Sequence, residues 1–125
     1  MQSRLIPSIS FESAKDALVY YQEVFGAADV YRFSPDAAQA KQFGLPSDSN
    51  LDDITIHAGF SILGMSFQCA DAFRGKPEPT NQIDMILDIN ADDPASAQAA
   101  EDFYQRVSVS VAVKHYIHLV APVSD

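Results

Sequence analysis

Tryptophan is absent from the 125 residues, cysteine occurs once, and 8 lysines and arginines face 17 aspartates and glutamates, a formal charge of −9. This shortage of cations argues against nucleic acid and anionic membrane surfaces as partners. A phosphate backbone is held by lysine and arginine side chains that release counterions. The acidic surplus instead favours solubility. A single cysteine, Cys69, excludes an intramolecular disulfide and fits a reducing, cytoplasmic setting. Cys69 ends a largely apolar run over residues 62–69, the context of a buried, inert thiol. A reactive cysteine needs electropositive, exposed surroundings. No apolar run approaches the ~20 residues of a membrane span. The opening Met1-Gln2-Ser3-Arg4 lacks the apolar core of a signal peptide.

What is present reads as one domain. The hydrophobic fraction is 47% and the charged fraction 20%, ordinary for a globular chain. A chain of this size buries roughly two-thirds of the surface its unfolded form exposes, so it needs neither disulfide nor metal to hold a core.

Along the chain the hydrophobic period alternates between two and 3.6. Ser8 and Ser10 fall on one face of a strand, Ile9 and Phe11 on the other. Ala14, Ala17, Leu18, Tyr21, Val24 and Phe25 then share one helical stripe. Ser13 is placed to cap that helix and Gly26 to end it. Residues 29–33 read as a second strand. Residues 34–50, with two prolines and Gly44, read as an insertion loop with room for one helical turn. Residues 53–60 alternate again: Ile54, Ile56, Ala58 and Phe60 on one face, Asp53, Thr55, His57 and Gly59 on the other. Residues 61–69 follow almost at once as the second arm of a hairpin. Residues 72–82, with Gly75, Pro77 and Pro79, are linker-like.

After that linker the opening pattern returns. Residues 83–89 alternate, with Ile83, Met85, Leu87 and Ile89 on one face. Asp93 caps a second helix and Pro94 suits its first position. Ala97, Ala100, Tyr104 and Val107 mark its buried stripe. Val109, Val111 and Val113 form a further strand pattern, and residues 117–120 another. The expected architecture is α+β: paired βαβββ modules, a curved mixed sheet and two main helices. The first module is 1–71, the linker 72–82, and the second, 83–125, is incomplete.

A repeated strand–helix–strand–strand–strand unit resembles the vicinal oxygen chelate superfamily of glyoxalase, bleomycin-resistance and extradiol dioxygenase proteins. Ile6-Pro7-Ser8-Ile9-Ser10-Phe11 and the helix Ala17-Leu18-Val19-Tyr20-Tyr21-Gln22-Glu23-Val24-Phe25-Gly26 resemble the opening of its PhnB-like branch. That branch carries the domain label "3-demethylubiquinone 3-methyltransferase-like". Ile54-Thr55-Ile56-His57-Ala58-Gly59-Phe60 resembles a later strand of the same branch. The branch's Trp-Gly pair and closing "D-x-x-G" turn are missing: the chain has no tryptophan, and no glycine follows Val107. The resemblance implies a pocket on the sheet, a homodimer and, in the superfamily's enzymes, a divalent metal held by histidine and glutamate.

The residues themselves offer little for a metal. The first strand brings Ser8 and Ser10 but no His, the hairpin Ser66 and Gln68 but no Glu, the repeat's strand Asp84 and Asp88 but no His; by ligand count the site falls short. His115 and His118, three apart, fall on opposite faces of a strand and make a poor chelating pair. No metal and no other cofactor is therefore expected. The ligand-binding candidates are Ser8, Ser10, Arg32, His57 and Gln68. His57 is also the catalytic candidate, since imidazole exchanges protons near neutrality; the alternative is a hydrogen bond satisfied within the sheet or at a subunit contact. Arg32 could meet an anion or stay a surface arginine. Three functions remain open: a small-molecule-binding protein of the PhnB-like type, a metal-dependent lyase or dioxygenase, and a drug-sequestering resistance protein. No nucleotide or methyl-donor motif supports methyl transfer.

Overall fold

The computed structural model describes residues 1–109. Four strands form one mixed sheet: β1 (Ser8–Phe11), β2 (Ala28–Phe33), β3 (His57–Ile62) and β4 (Met65–Asp71), in the order β1-β4-β3-β2. β1 runs parallel to β4; the β2–β3 and β3–β4 pairs are antiparallel. Helix α1 (Ala14–Phe25) packs on the sheet, and α3 (Pro94–Ser108) packs on α1. A short α2 (Ala37–Gln42) sits in the insertion. The fold class is α+β, as expected. Among the described residues no helix is long and apolar enough to cross a membrane.

The sequence explains α1 in full. Ser13 Oγ accepts from the Asp16 N–H at its start, and Gly26 adopts φ 68° at its end, a conformation that costs glycine nothing. Ala14, Leu18 and Phe25 bury against Ala58, Phe60, Ile62 and Cys69. Burial of a side chain such as Leu18 or Phe25 contributes about 1.5–3 kcal/mol. Tyr21 bridges helix and sheet, with its ring 5.1 Å from both Phe25 and Phe60. The second helix begins at Pro94 with Asp93 as its cap, as its sequence indicates. Phe103 and Val107 turn to the core. Arg106 donates to the carbonyls of Gln22 and Glu23, each at 3.1 Å, and so joins the end of α1 to α3.

Three expectations need correction. The strand expected over 53–60 starts only at His57 and runs on to Ile62, preceded by a 3₁₀ turn at Leu51–Asp53. The buried alternation is thus Ala58, Phe60 and Ile62. Thr55, expected on the polar face, is fully buried, because its hydroxyl accepts from Arg32 at 3.1 Å and its N–H donates to Asp71. The hairpin arm expected over 61–69 begins at Met65, because Leu63 and Gly64 (φ 50° and 79°) make the two-residue turn, and extends to Asp71.

The third correction concerns residues 83–89, which form no strand. Alternation specifies a strand only where a neighbour accepts its hydrogen bonds, and no described strand pairs with this segment. Ile83, Met85 and Ile86 are 77%, 56% and 86% exposed, while Leu87 alone of the segment packs against the core. The strand patterns expected at 109–113 and 117–120 lie outside the described residues, except Val109, which follows α3.

Candidate functional site

Helix α1 packs on the face of the sheet that carries Ala58, Phe60 and Ile62, and no other helix packs closely on a strand among the described residues. The strand register decides which side chains share the opposite, open face. Ser8 pairs with Gln68, Gln68 with Gly59, and Gly59 with Tyr31, so these four stand in one row across all four strands. The neighbouring positions of the same face, two residues along, are Ser10 with Ala70, and His57 with Phe33. Ser8, Ser10, Gln68 and His57, expected from sequence as ligand-binding residues, therefore share a face.

Arg32 does not share it. It pairs with the buried Ala58 and lies on the helix side of the sheet. Its guanidinium donates to Ser34 Oγ (3.1 Å), Thr55 Oγ1 (3.1 Å), the Asp52 carbonyl (2.8 Å) and the Ile54 carbonyl (3.4 Å). The fork is spent on holding the 52–55 turn against β2.

The open face is uneven in a useful way. On β1 and β4 the two rows hold Ser8, Ser10, Ala70 and Gln68; on β3 they hold Gly59 and His57. On β2, Tyr31 and Phe33 supply aromatic rings, 40% and 56% exposed. The Tyr31 hydroxyl and His57 Nε2 are hydrogen-bonded at 3.2 Å. The His57 ring runs within 7° of parallel to Phe33, with centroids 6.3 Å apart. A Cβ at Gly59 would collide with the phenol end of Tyr31, so that end lies directly over the glycine. Tyr31 and Phe33 were missed as site residues from sequence. The available signal was Gly59, since a glycine inside a strand often marks close approach by another group.

A depression of about 270 Å³ flanks Tyr31, lined also by Arg4, Asp29, Ser66 and Gln68. Asp29 is tied down there, its carboxylate accepting from Ser61 Oγ at 2.9 Å. A second depression, about 370 Å³, borders Ser10, Asp71, Phe73 and Arg74. Phe73 stacks on Phe43, which follows α2, with centroids 5.5 Å apart. The insertion is thereby joined to the linker beside Ser10.

Cys69 is 1% exposed, and burial together with the Asp71 carboxylate pushes its thiol above the usual range. A protonated, enclosed thiol is no nucleophile. The metal implied by the superfamily resemblance does not fit this face either. Among the described residues no group of three His, Cys, Asp or Glu side chains could hold an ion. His57 meets the Tyr31 hydroxyl and the rings of Tyr31 and Phe33, none of them a metal ligand of this kind, so no step is derived through a metal.

No family model matches the chain, and no curated protein matches it. Among solved structures it is similar to the PhnB protein from Bacillus cereus, described as a candidate 3-demethylubiquinone-9 3-methyltransferase, at 20% identity and a TM-score of 0.39. That match covers 62% of this chain and 55% of the other, so the chain spans about half of that protein's length.

Proposed function

We propose that the chain binds a small organic molecule on the open face of its sheet, as a protein of the PhnB-like type without a metal centre. The observation that carries this reading is the row Ser8–Gln68–Gly59–Tyr31, in register across four strands. It combines hydroxyl and amide groups that hydrogen-bond in either direction with an aromatic edge. A few convergent polar groups beside an aromatic surface are what small-molecule sites use to orient a ligand. The sequence resemblance at Ile6–Phe11 and Ala17–Gly26 points to the same branch. The buried, unpaired Cys69 is in keeping with a cytoplasmic protein.

The working unit in this reading is a homodimer. Exposed Ile83 and Ile86, and the outer edge of β1 with no strand against it among the described residues, leave apolar surface and backbone groups for a second copy. Sedimentation at micromolar concentration should give twice the chain mass.

Fragment screening by NMR tests the binding reading. Hits should shift the amides of Ser8, Ser10, His57 and Gln68 together, and Gln68→Ala should weaken them. Hits that cluster on α1 and α3 instead would overturn it.

A further inference from the structure

Tyr31 stands where the features of the open face meet. Its phenol end covers Gly59, its hydroxyl bonds to His57, and its ring contacts Phe33 with centroids 5.8 Å apart. It also borders the depression that contains Gln68. Any tyrosine on an open strand could stand up from the sheet as a free rotor. This one is held down by two independent features: the missing side chain at residue 59 and the hydrogen bond to His57. The bond acts both ways, because it also fixes the imidazole nearly parallel to Phe33.

We propose that Tyr31 is the specificity-determining residue of the open face, and that the face selects flat, unsaturated ring systems over bulky saturated ones. This rests on the reading of that face as a small-molecule site. Three adjacent aromatic rings, two of them tied by the Tyr31–His57 hydrogen bond, reward a ligand that can present a planar face or edge to them. A globular aliphatic ligand gains no such geometric preference. Gly59 is covered by the Tyr31 phenol, and the small side chains of Ser8, Ser10 and Ala70 leave clearance beside the rings for a thin ligand. The polar groups of Gln68 and the serines then select a ring bearing a carbonyl or ring heteroatom.

The test compares two neutral probes, coumarin (planar, with a carbonyl) and 1-adamantanol (globular, with a hydroxyl), by NMR titration of the full chain. Coumarin should bind more tightly and shift the amides of Gly59 and Gln68. Tyr31→Leu should reduce the coumarin preference roughly 2- to 10-fold, the range expected for one aromatic contact. His57→Ala, which removes the hydrogen-bond partner of the phenol while leaving every β2 side chain in place, should reduce it by less. Gly59→Ala should reduce it as Tyr31→Leu does; if that variant fails to fold, Tyr31→Leu carries the test. An unchanged preference in Tyr31→Leu, with both probes still shifting Gln68, would overturn the role of Tyr31 and leave the site standing. Failure of both probes to shift any open-face amide would overturn the site and the proposal together.

Discussion

Asp71 and Thr55 are joined twice: the Thr55 N–H donates to Asp71 Oδ2 at 3.0 Å, and the Asp71 N–H donates to the Thr55 carbonyl at 3.0 Å. The second carboxylate oxygen of Asp71 accepts the N–H of Ala14, the first residue of α1, at 2.8 Å. One side chain at the end of β4 thus fixes both the start of α1 and the entry to β3. A carboxylate suits the position, since it accepts two donors at once and stands at the positive end of a helix dipole.

Asp71→Asn should therefore destabilise the fold, because an amide group keeps one acceptor and turns donors towards a donor. Asp71→Ala should cost more, leaving both N–H groups without their acceptor. A loss of about 1–3 kcal/mol per unsatisfied group is expected. Urea unfolding should show a lower midpoint with an unchanged slope.

Arg32 gives a prediction that separates structure from binding. Arg32→Lys keeps the charge but cannot reproduce a fork that reaches Ser34, Thr55 and two carbonyls. Stability should fall by about 1.5–3 kcal/mol. Binding at the open face should be unchanged at temperatures where the variant stays folded. A variant of full stability and weakened binding would place Arg32 in the site after all.

The contrast between Ser8 and Arg32 shows what was legible in the sequence. The α1 helix and the serine face of β1 follow from local periodicity and caps; the existence of the β3–β4 hairpin does too, but its turn at Leu63-Gly64 does not. Burial of Thr55 does not, because it depends on Arg32 and Asp71, each remote in sequence. The side on which Arg32 lies depends on the register of β2, with its irregularity between Ala28 and Tyr31. Residues 83–89 show the opposite failure: a strong strand pattern without a described neighbour to pair with. Periodicity gives the face a residue prefers; pairing decides whether that face exists.

Acid stability should depend on Asp53 and Asp93. The Lys15 ammonium, 2.7 Å from Asp53, holds that carboxyl below its usual 3.8, and hydrogen bonds from Ser96 do the same for Asp93. A carboxyl lowered in the folded state stabilises it above the unfolded pKa, and the contribution is lost as pH falls through the folded value. Both groups are exposed, so the effect of each is small. Wild type should melt above Asp53→Asn at pH 6, and the gap should close as pH drops below 3.8. Salt should shrink it at pH 6.

The alkaline side should depend on Cys69 and Tyr21, both raised by burial above their ordinary 9.0 and 10.0. Each is kept protonated by the fold, so its contribution is present below the ordinary value and lost as pH rises through the folded one. A thiol-specific disulfide reagent at pH 8 should leave Cys69 unmodified in the native protein and take one equivalent in urea. Prompt native reaction would mean that the β4 core opens readily.

The β3–β4 turn offers a stabilising change. Leu63 holds φ 50° and Gly64 φ 79°, the paired left-handed geometry of a two-residue hairpin turn. Glycine takes that conformation freely, but a leucine Cβ crowds the following carbonyl at a cost of roughly 1–2 kcal/mol. Leu63 is 41% exposed, so it recovers only part of that by burial. Leu63→Asn places Asn-Gly, the pair that favours this turn, between Ile62 and Met65. Thermal unfolding should show the variant more stable by about 0.5–1 kcal/mol, with the Ile62–Met65 pairing retained in the amide spectrum. A loss of stability would mean that Leu63 is covered in solution, as it would be if this end of the sheet met a second copy.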